Sequence, residues 1–193
     1  LRSGTVMVSV MQSNNETGVL QDVSAVGRMC RDRGILFHCD ATASIGKMRV
    51  HPHEIPCDFL SLSGHKFRAP KGVGALFVRK GVKAFPIVYG GEQEEGLRPG
   101  TENVAGIVGI GVAARLARRF VESGGPAKIE TLRDELELRL KKEMPRTELI
   151  GVADGTVRLC NTISIRVPGV RNDEVVVCLD RENICISTGA ACS

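Results

Sequence analysis

No stretch of this chain approaches the roughly 18 consecutive apolar residues of a membrane-spanning helix, and no signal-like segment opens it, so a membrane role is not expected. Charge of one sign is also scarce: 26 Lys and Arg face 22 Asp and Glu, and the net +4 is scattered. A nucleic acid is therefore not an expected partner. The cysteines number seven, an odd count without any C-x-x-C pair, which argues against a disulfide framework and against a zinc ribbon. Most of them stand in apolar stretches, where cysteine acts as a small core residue. A reducing compartment, cytoplasmic or mitochondrial, is the simpler expectation. Gly72-Val73-Gly74 lacks the Walker spacing of a nucleotide loop. His51-Pro52-His53 has no third ligand in sequence range, so it reads as surface loop and no metal site is expected. Internal repeats and low-complexity segments are missing too.

What is present alternates between strand and helix signals. Val6 to Met11 is apolar and β-branched, a buried strand; Asp22 can cap a helix running to about Arg33, with Val23, Val26, Met29 and Cys30 on one face. Further strands are expected at Ile35 to Cys39, Phe59 to Ser61 and Gly74 to Arg79, and a helix from Glu102 to Glu122. Strand, helix, strand in this order predicts an α/β fold with a mostly parallel sheet. The breaker cluster Ser123-Gly124-Gly125-Pro126 marks a boundary between residues 1–122, part of a large domain, and 123–193, part of a small α/β domain. In the second part, Ala127 to Glu143 reads as a helix with Ile129, Leu132, Leu136 and Leu140 on one face. Thr162 to Val167 and Ile184 to Ile186 read as strands, and Asn172 to Asp180 as a helix. The chain opens inside apparent structure and ends one residue after a cysteine, so it reads as an excerpt of a longer protein.

Two segments carry chemistry. His38-Cys39-Asp40 ends a strand in an acid, and Ser61-Leu62-Ser63-Gly64-His65-Lys66 ends the next in hydroxyls, a glycine, a histidine and a lysine. A lysine-bound pyridoxal 5'-phosphate (PLP) needs this set: an acid for the pyridinium nitrogen, a lysine for the Schiff base, and small donors for the phosphate. Ser61, Ser63 and His65 can supply those donors, and Gly64 lets the backbone come close. The bland readings are a solvated lysine and a helix-capping aspartate. Arg98-Pro99-Gly100-Thr101-Glu102-Asn103 precedes a long helix and reads as a cap on Thr101, an anion site, or both. Cys192 lies in a small-residue stretch, Gly189-Ala190-Ala191, unlike the core-type cysteines. A thiol needs a nearby base or cation to be nucleophilic at neutral pH, and the sequence does not name that group.

Taken together, these residues resemble the NifS/IscS-type cysteine desulfurases, class-V members of the fold-type I PLP-dependent transferases, over essentially the whole chain. Besides the two segments above, Met11 to Gly18 resembles the family's asparagine loop, Arg98 to Asn103 its partner-subunit phosphate loop, and Ser187 to Cys192 its cysteine loop. The resemblance implies that Lys66 is the Schiff-base lysine and proton shuttle, that Asp40 pairs with the pyridine nitrogen, and that Asn15 touches the phenolic oxygen and the substrate. It implies phosphate contacts from Ser63 and His65, and from Thr101 into the partner subunit's site, hence a homodimer. Cys192 is then the nucleophile that takes sulfur from L-cysteine as a persulfide, releasing L-alanine. The loop length is similar to that of the group that hands sulfur to an iron-sulfur scaffold or another acceptor protein.

The sequence also departs from the family. Where a glutamine usually stands three residues after the aspartate, this chain has Ala43. The resemblance further implies a glycine-threonine phosphate loop, a ring-stacking histidine and a carboxylate-binding arginine that lie outside this chain, so the chain by itself is expected to be inactive. Selenocysteine lyase, acting on L-selenocysteine, shares the fold and cofactor and is the near alternative. A non-catalytic relative acting as a binding scaffold is the alternative of a different class.

Overall fold

The computed structural model describes residues 1–189. They form two compact units, Leu1–Gln12 with Gln21–Gly125, and Ser13–Leu20 with the chain from Pro126 onward.

The first unit is built on a four-stranded sheet in the order β1 (Met7–Met11), β2 (Leu36–Asp40), β3 (Phe59–Ser63), β4 (Gly74–Val78). β1, β2 and β3 are parallel, and β4 returns antiparallel to β3. The crossover from β1 to β2 is helix α1 (Val23–Arg31), started by Asp22, whose carboxylate accepts from the Ala25 amide at 2.8 Å. Gly34 ends the turn after it at φ +65°, a left-handed conformation that glycine adopts without strain. Side chains alternate across the sheet. On one face, Phe37, Cys39 and Leu60 pack with Val23 and Cys30 of α1 and with Ile55 and Cys57 to form the core. On the other face stand Ser9 and Met11 of β1, His38 and Asp40 of β2, and Ser61 and Ser63 of β3.

Asp58, only 7% exposed, fixes the start of β3. Its carboxylate accepts from the Phe37 amide (2.8 Å) and from the Arg79 guanidinium (2.8 and 2.5 Å), so a buried charge is both paired and hydrogen-bonded. Helix α2 (Val104–Glu122) follows a long exposed segment and is capped by Asn103, whose Oδ1 accepts from Gly106 N at 3.0 Å. The cap is therefore Asn103 and not Thr101, because the helix begins two residues later than the composition suggested.

In the second unit, α3 (Gly125–Glu143) is followed by the short antiparallel pair β5 (Glu148–Leu149) and β6 (Ile165–Arg166) and by α4 (Asn172–Arg181). The inward face of α3 differs from the expected one. Leu132 and Leu136 are 66% and 50% exposed, whereas Glu137 is buried in a bidentate pair with Arg158 at 2.6 and 3.0 Å. Arg133 reaches the Leu159 carbonyl at 2.7 Å. Ile129 and Leu140 are half-buried as expected, while Arg133 and Glu137 take the inward places expected of Leu132 and Leu136, and the 3.6-residue period could not reveal Arg158. Ile184 to Ile186 is not a strand; the Ile184 amide instead closes the end of α4 on the Leu179 carbonyl. Ser13–Leu20 completes this unit: Leu20 N donates to Val157 O and Leu159 N to Gly18 O. The excursion is closed at its base within the first unit, where Gln21 N donates to Gln12 O at 2.9 Å. No described helix is long and apolar enough to cross a membrane.

Candidate active site

Ligand sites of parallel α/β sheets form beyond the carboxyl ends of the strands. Here the ends of β2 and β3 adjoin, with Asp40 the register partner of Ser61. Asp40 is half-buried, and its Oδ1 accepts from the Thr42 amide at 2.8 Å. Its second carboxylate oxygen has no hydrogen-bond partner among the described residues.

After β3 the chain turns at once into a 3₁₀ turn over Gly64–Phe67 that holds His65 and Lys66. Gly64 is required here: a Cβ on it would lie 2.9 Å from the Val73 carbonyl oxygen, 3.0 Å from the Ala69 Cβ and 3.2 Å from the Ile110 Cδ1 of α2. Gly64 N donates to that Val73 oxygen, and Ala69 N donates to Gly64 O, so the turn is pinned from both sides. Phe67 is buried beneath it, while His65 and Lys66 are exposed. The Ser63 hydroxyl lies 2.8 Å from Nδ1 of His65. Lys66 makes no ion pair or hydrogen bond among the described residues.

Ser61, the other hydroxyl expected near the phosphate, is tied to a different histidine. Its hydroxyl is engaged by Nε2 of His38 at 3.0 Å, and Nδ1 of the same ring meets the Ser9 hydroxyl at 2.7 Å. A Ser9–His38–Ser61 row thus crosses three strands on the face that carries Asp40. Sequence reasoning did not see this row. The signal was the strand alternation, which puts Ser9, His38, Asp40, Ser61 and Ser63 on one side, but the register that joins them is not local.

Behind this face, Cys39 is fully buried. Its thiol is pushed up to about 12, first by burial and then by the neighbouring Cys57 and Asp40. Burial likewise raises the Cys57 and Cys30 thiols. These are core groups, not nucleophiles, and among the described residues Cys30, Cys39, Cys57, Cys178 and Cys185 are free thiols.

The remaining sequence candidates divide by location. Thr101 is exposed in the first unit, shortly before α2, and Asn15 is exposed in the second unit. Cys192 lies outside the described residues. Ala43 offers only its carbonyl, which accepts from Lys47 Nζ at 2.7 Å.

The donor set of the first unit fits PLP. Among the described residues it offers a carboxylate oxygen of Asp40 and a lysine that have no competing partner, a hydroxyl–imidazole pair, and a turn whose glycine leaves no room for a side chain. In either neutral tautomer of His65 the pair keeps one outward donor, Nε2–H or the Ser63 O–H.

The chain is similar to known proteins along its length. A cysteine desulfurase of Trichormus azollae is 42% identical over the whole of this chain and 48% of its own length. The NifS-like protein of Rickettsia africae superposes with a TM-score of 0.88 at 33% identity, covering 95% of this chain and 50% of that one. SspA, solved in complex with cysteine, gives a TM-score of 0.74 at 32% identity over 100% of this chain and 52% of its own. The chain spans about half the length of the curated relatives it matches. Residues 1–193 match the aminotransferase class-V family throughout, and the chain belongs to that family.

Proposed function

We propose that the protein is a PLP-dependent cysteine desulfurase, moving the sulfur of L-cysteine onto the Cys192 thiol and leaving L-alanine and a protein persulfide. The observation that carries this reading is the polar sheet face on which Asp40 ends β2 while Ser63, His65 and Lys66 follow from the adjoining β3. The likeness to cysteine desulfurases, and to a relative solved with cysteine, supports the substrate.

PLP, when bound, supplies an electron sink for the substrate α-carbon. The chain's own residues do the rest. The free oxygen of Asp40 keeps a ring nitrogen protonated through a charge-assisted hydrogen bond. The Ser63–His65 pair gives the phosphate a donor. Lys66 Nζ anchors the cofactor and moves the proton at the substrate Cα. Asn15 orients the substrate, and the Cys192 sulfur accepts the substrate sulfur.

A homodimer belongs to the same reading, with Thr101 reaching the partner subunit's phosphate. It is supported by the exposed apolar residues Phe85, Ile87 and Tyr89, which precede the Arg98 to Asn103 segment. An iron-sulfur scaffold or another acceptor protein would then receive the sulfur. The free thiols support a reducing compartment.

Borohydride reduction of the full-length protein with PLP, followed by peptide mapping, tests the core of the proposal. A pyridoxyl adduct on Lys66 is expected, and an unmodified Lys66 rules the reading out. Cys192→Ala should abolish sulfur release from cysteine; retained selenide release from selenocysteine by that variant would favour a selenocysteine lyase.

A further inference from the structure

The polar face of the sheet contains one titratable side chain that the proposed chemistry leaves unused. His38 stands two residues before Asp40 on the same strand and faces the same side. Both of its ring nitrogens are taken, Nδ1 by Ser9 and Nε2 by Ser61. Ser61 is also the register partner of Asp40 on the adjoining parallel strand. Neighbouring strands lie about 4.8 Å apart, so a serine hydroxyl beside an aspartate on the same face is a natural donor to its carboxylate. That bond is not made. Whichever ring nitrogen carries the proton, Ser61 Oγ sits 3.0 Å from Nε2 and makes no hydrogen bond to Asp40 among the described residues. On the other flank of Asp40 the register partner is Met11, whose side chain has no donor hydrogen.

We propose that His38 is a positioning residue that holds the Ser61 hydroxyl away from Asp40, so that one oxygen of the Asp40 carboxylate stays open to a protonated ring nitrogen. The inference rests on the cofactor reading above. It assigns His38 a task at Asp40 distinct from stapling the strands. If His38 only stapled the strands, the identity of the group at position 61 would not matter to the cofactor. If it restrains a competitor, removing the competitor makes His38 dispensable.

The test uses the full-length protein and reads PLP dissociation constants by titration, alongside the visible circular dichroism of the bound cofactor and the melting temperature. Ser61→Ala should bind PLP at least as tightly as the unmodified protein. His38→Ala frees the serine and should raise the dissociation constant about tenfold, the weight of one hydrogen bond. The double variant His38→Ala/Ser61→Ala should return to within about twofold of the unmodified protein, although its melting temperature stays lowered.

Three results overturn the inference: tight binding in His38→Ala, failure of Ser61→Ala to restore binding in the double variant, or weaker binding in Ser61→Ala alone. The last decides the matter even if His38→Ala does not fold. Absence of a reduced adduct on Lys66 of the unmodified protein overturns the cofactor reading itself, and this inference with it.

Discussion

Ser63 and His65 form a side-chain pair, hydroxyl to Nδ1 at 2.8 Å, at the exit of β3. Each fixes the other, since the hydroxyl selects the imidazole orientation and the ring holds the serine rotamer. Ser63→Ala and His65→Ala should each weaken PLP binding about tenfold. Because the two act as a unit, the double variant should lose less than the product of the single losses. Titration of the four proteins checks this coupling, and strict additivity would count against a shared role.

Asp40 has two separable jobs. One oxygen caps the Thr42 amide at 2.8 Å and the other has no partner among the described residues. Asp40→Asn keeps an oxygen for the cap and removes the charge. PLP affinity should fall about 10- to 100-fold, the range of a hydrogen bond to a charged group, with little change in melting temperature. An equal loss of stability and affinity would place the carboxylate in a purely structural role.

Gly64→Ala puts a methyl group 2.9 Å from a backbone oxygen that cannot swing away. Overpacking of this kind costs about 1–3 kcal/mol, to be read from urea unfolding. The turn carrying His65 and Lys66 has to shift, so PLP binding should weaken as well.

The Cys39 thiol, pushed up to about 12 by burial, is harder to ionise folded than unfolded. An acid raised in the folded state gives stability that is complete below its unfolded value and lost as pH climbs through the folded one. Stability should therefore decline between about pH 9 and about pH 12, less steeply in Cys39→Ala relative to its own neutral-pH stability. Alkylation at pH 8 should spare Cys39 until denaturant is added, while the exposed Cys178 and Cys185 react.

The side chains of Glu137 and Arg158 are 11% and 8% exposed and are joined by two short bonds. Glu137→Gln leaves the guanidinium without its counter-charge and should cost about 3–5 kcal/mol, as for other broken buried pairs. Replacing both members with apolar residues should cost less. Urea denaturation of the single and double variants compares them.

Much of the first unit was legible in the chain itself. The strands expected at Val6 to Met11, Ile35 to Cys39 and Phe59 to Ser61 are parallel neighbours, and Asp22 caps the helix it precedes. Asp40 and the His65–Lys66 turn stand beyond adjoining strand ends, because α/β connectivity brings successive strands together. What stayed hidden depends on partners distant in sequence. Ser9 looks like an interruption in Met7–Met11 until its register with His38 is known. Glu137 looks like a surface charge until Arg158 is placed against it. The cap of α2 was missed for a local reason, since Thr101 and Asn103 are both good capping residues.

The excursion of Ser13–Leu20 into the second unit bears on how the protein can be divided. A cut between Gly125 and Pro126 does not yield two self-sufficient pieces. The C-terminal piece would lack the segment that pairs with Val157 to Leu159. The N-terminal piece would carry that segment as an unmatched arm. Co-expressed halves therefore have a built-in means of reassembly, and the second unit cannot be excised as an independent domain unless residues 13–20 are grafted back onto it.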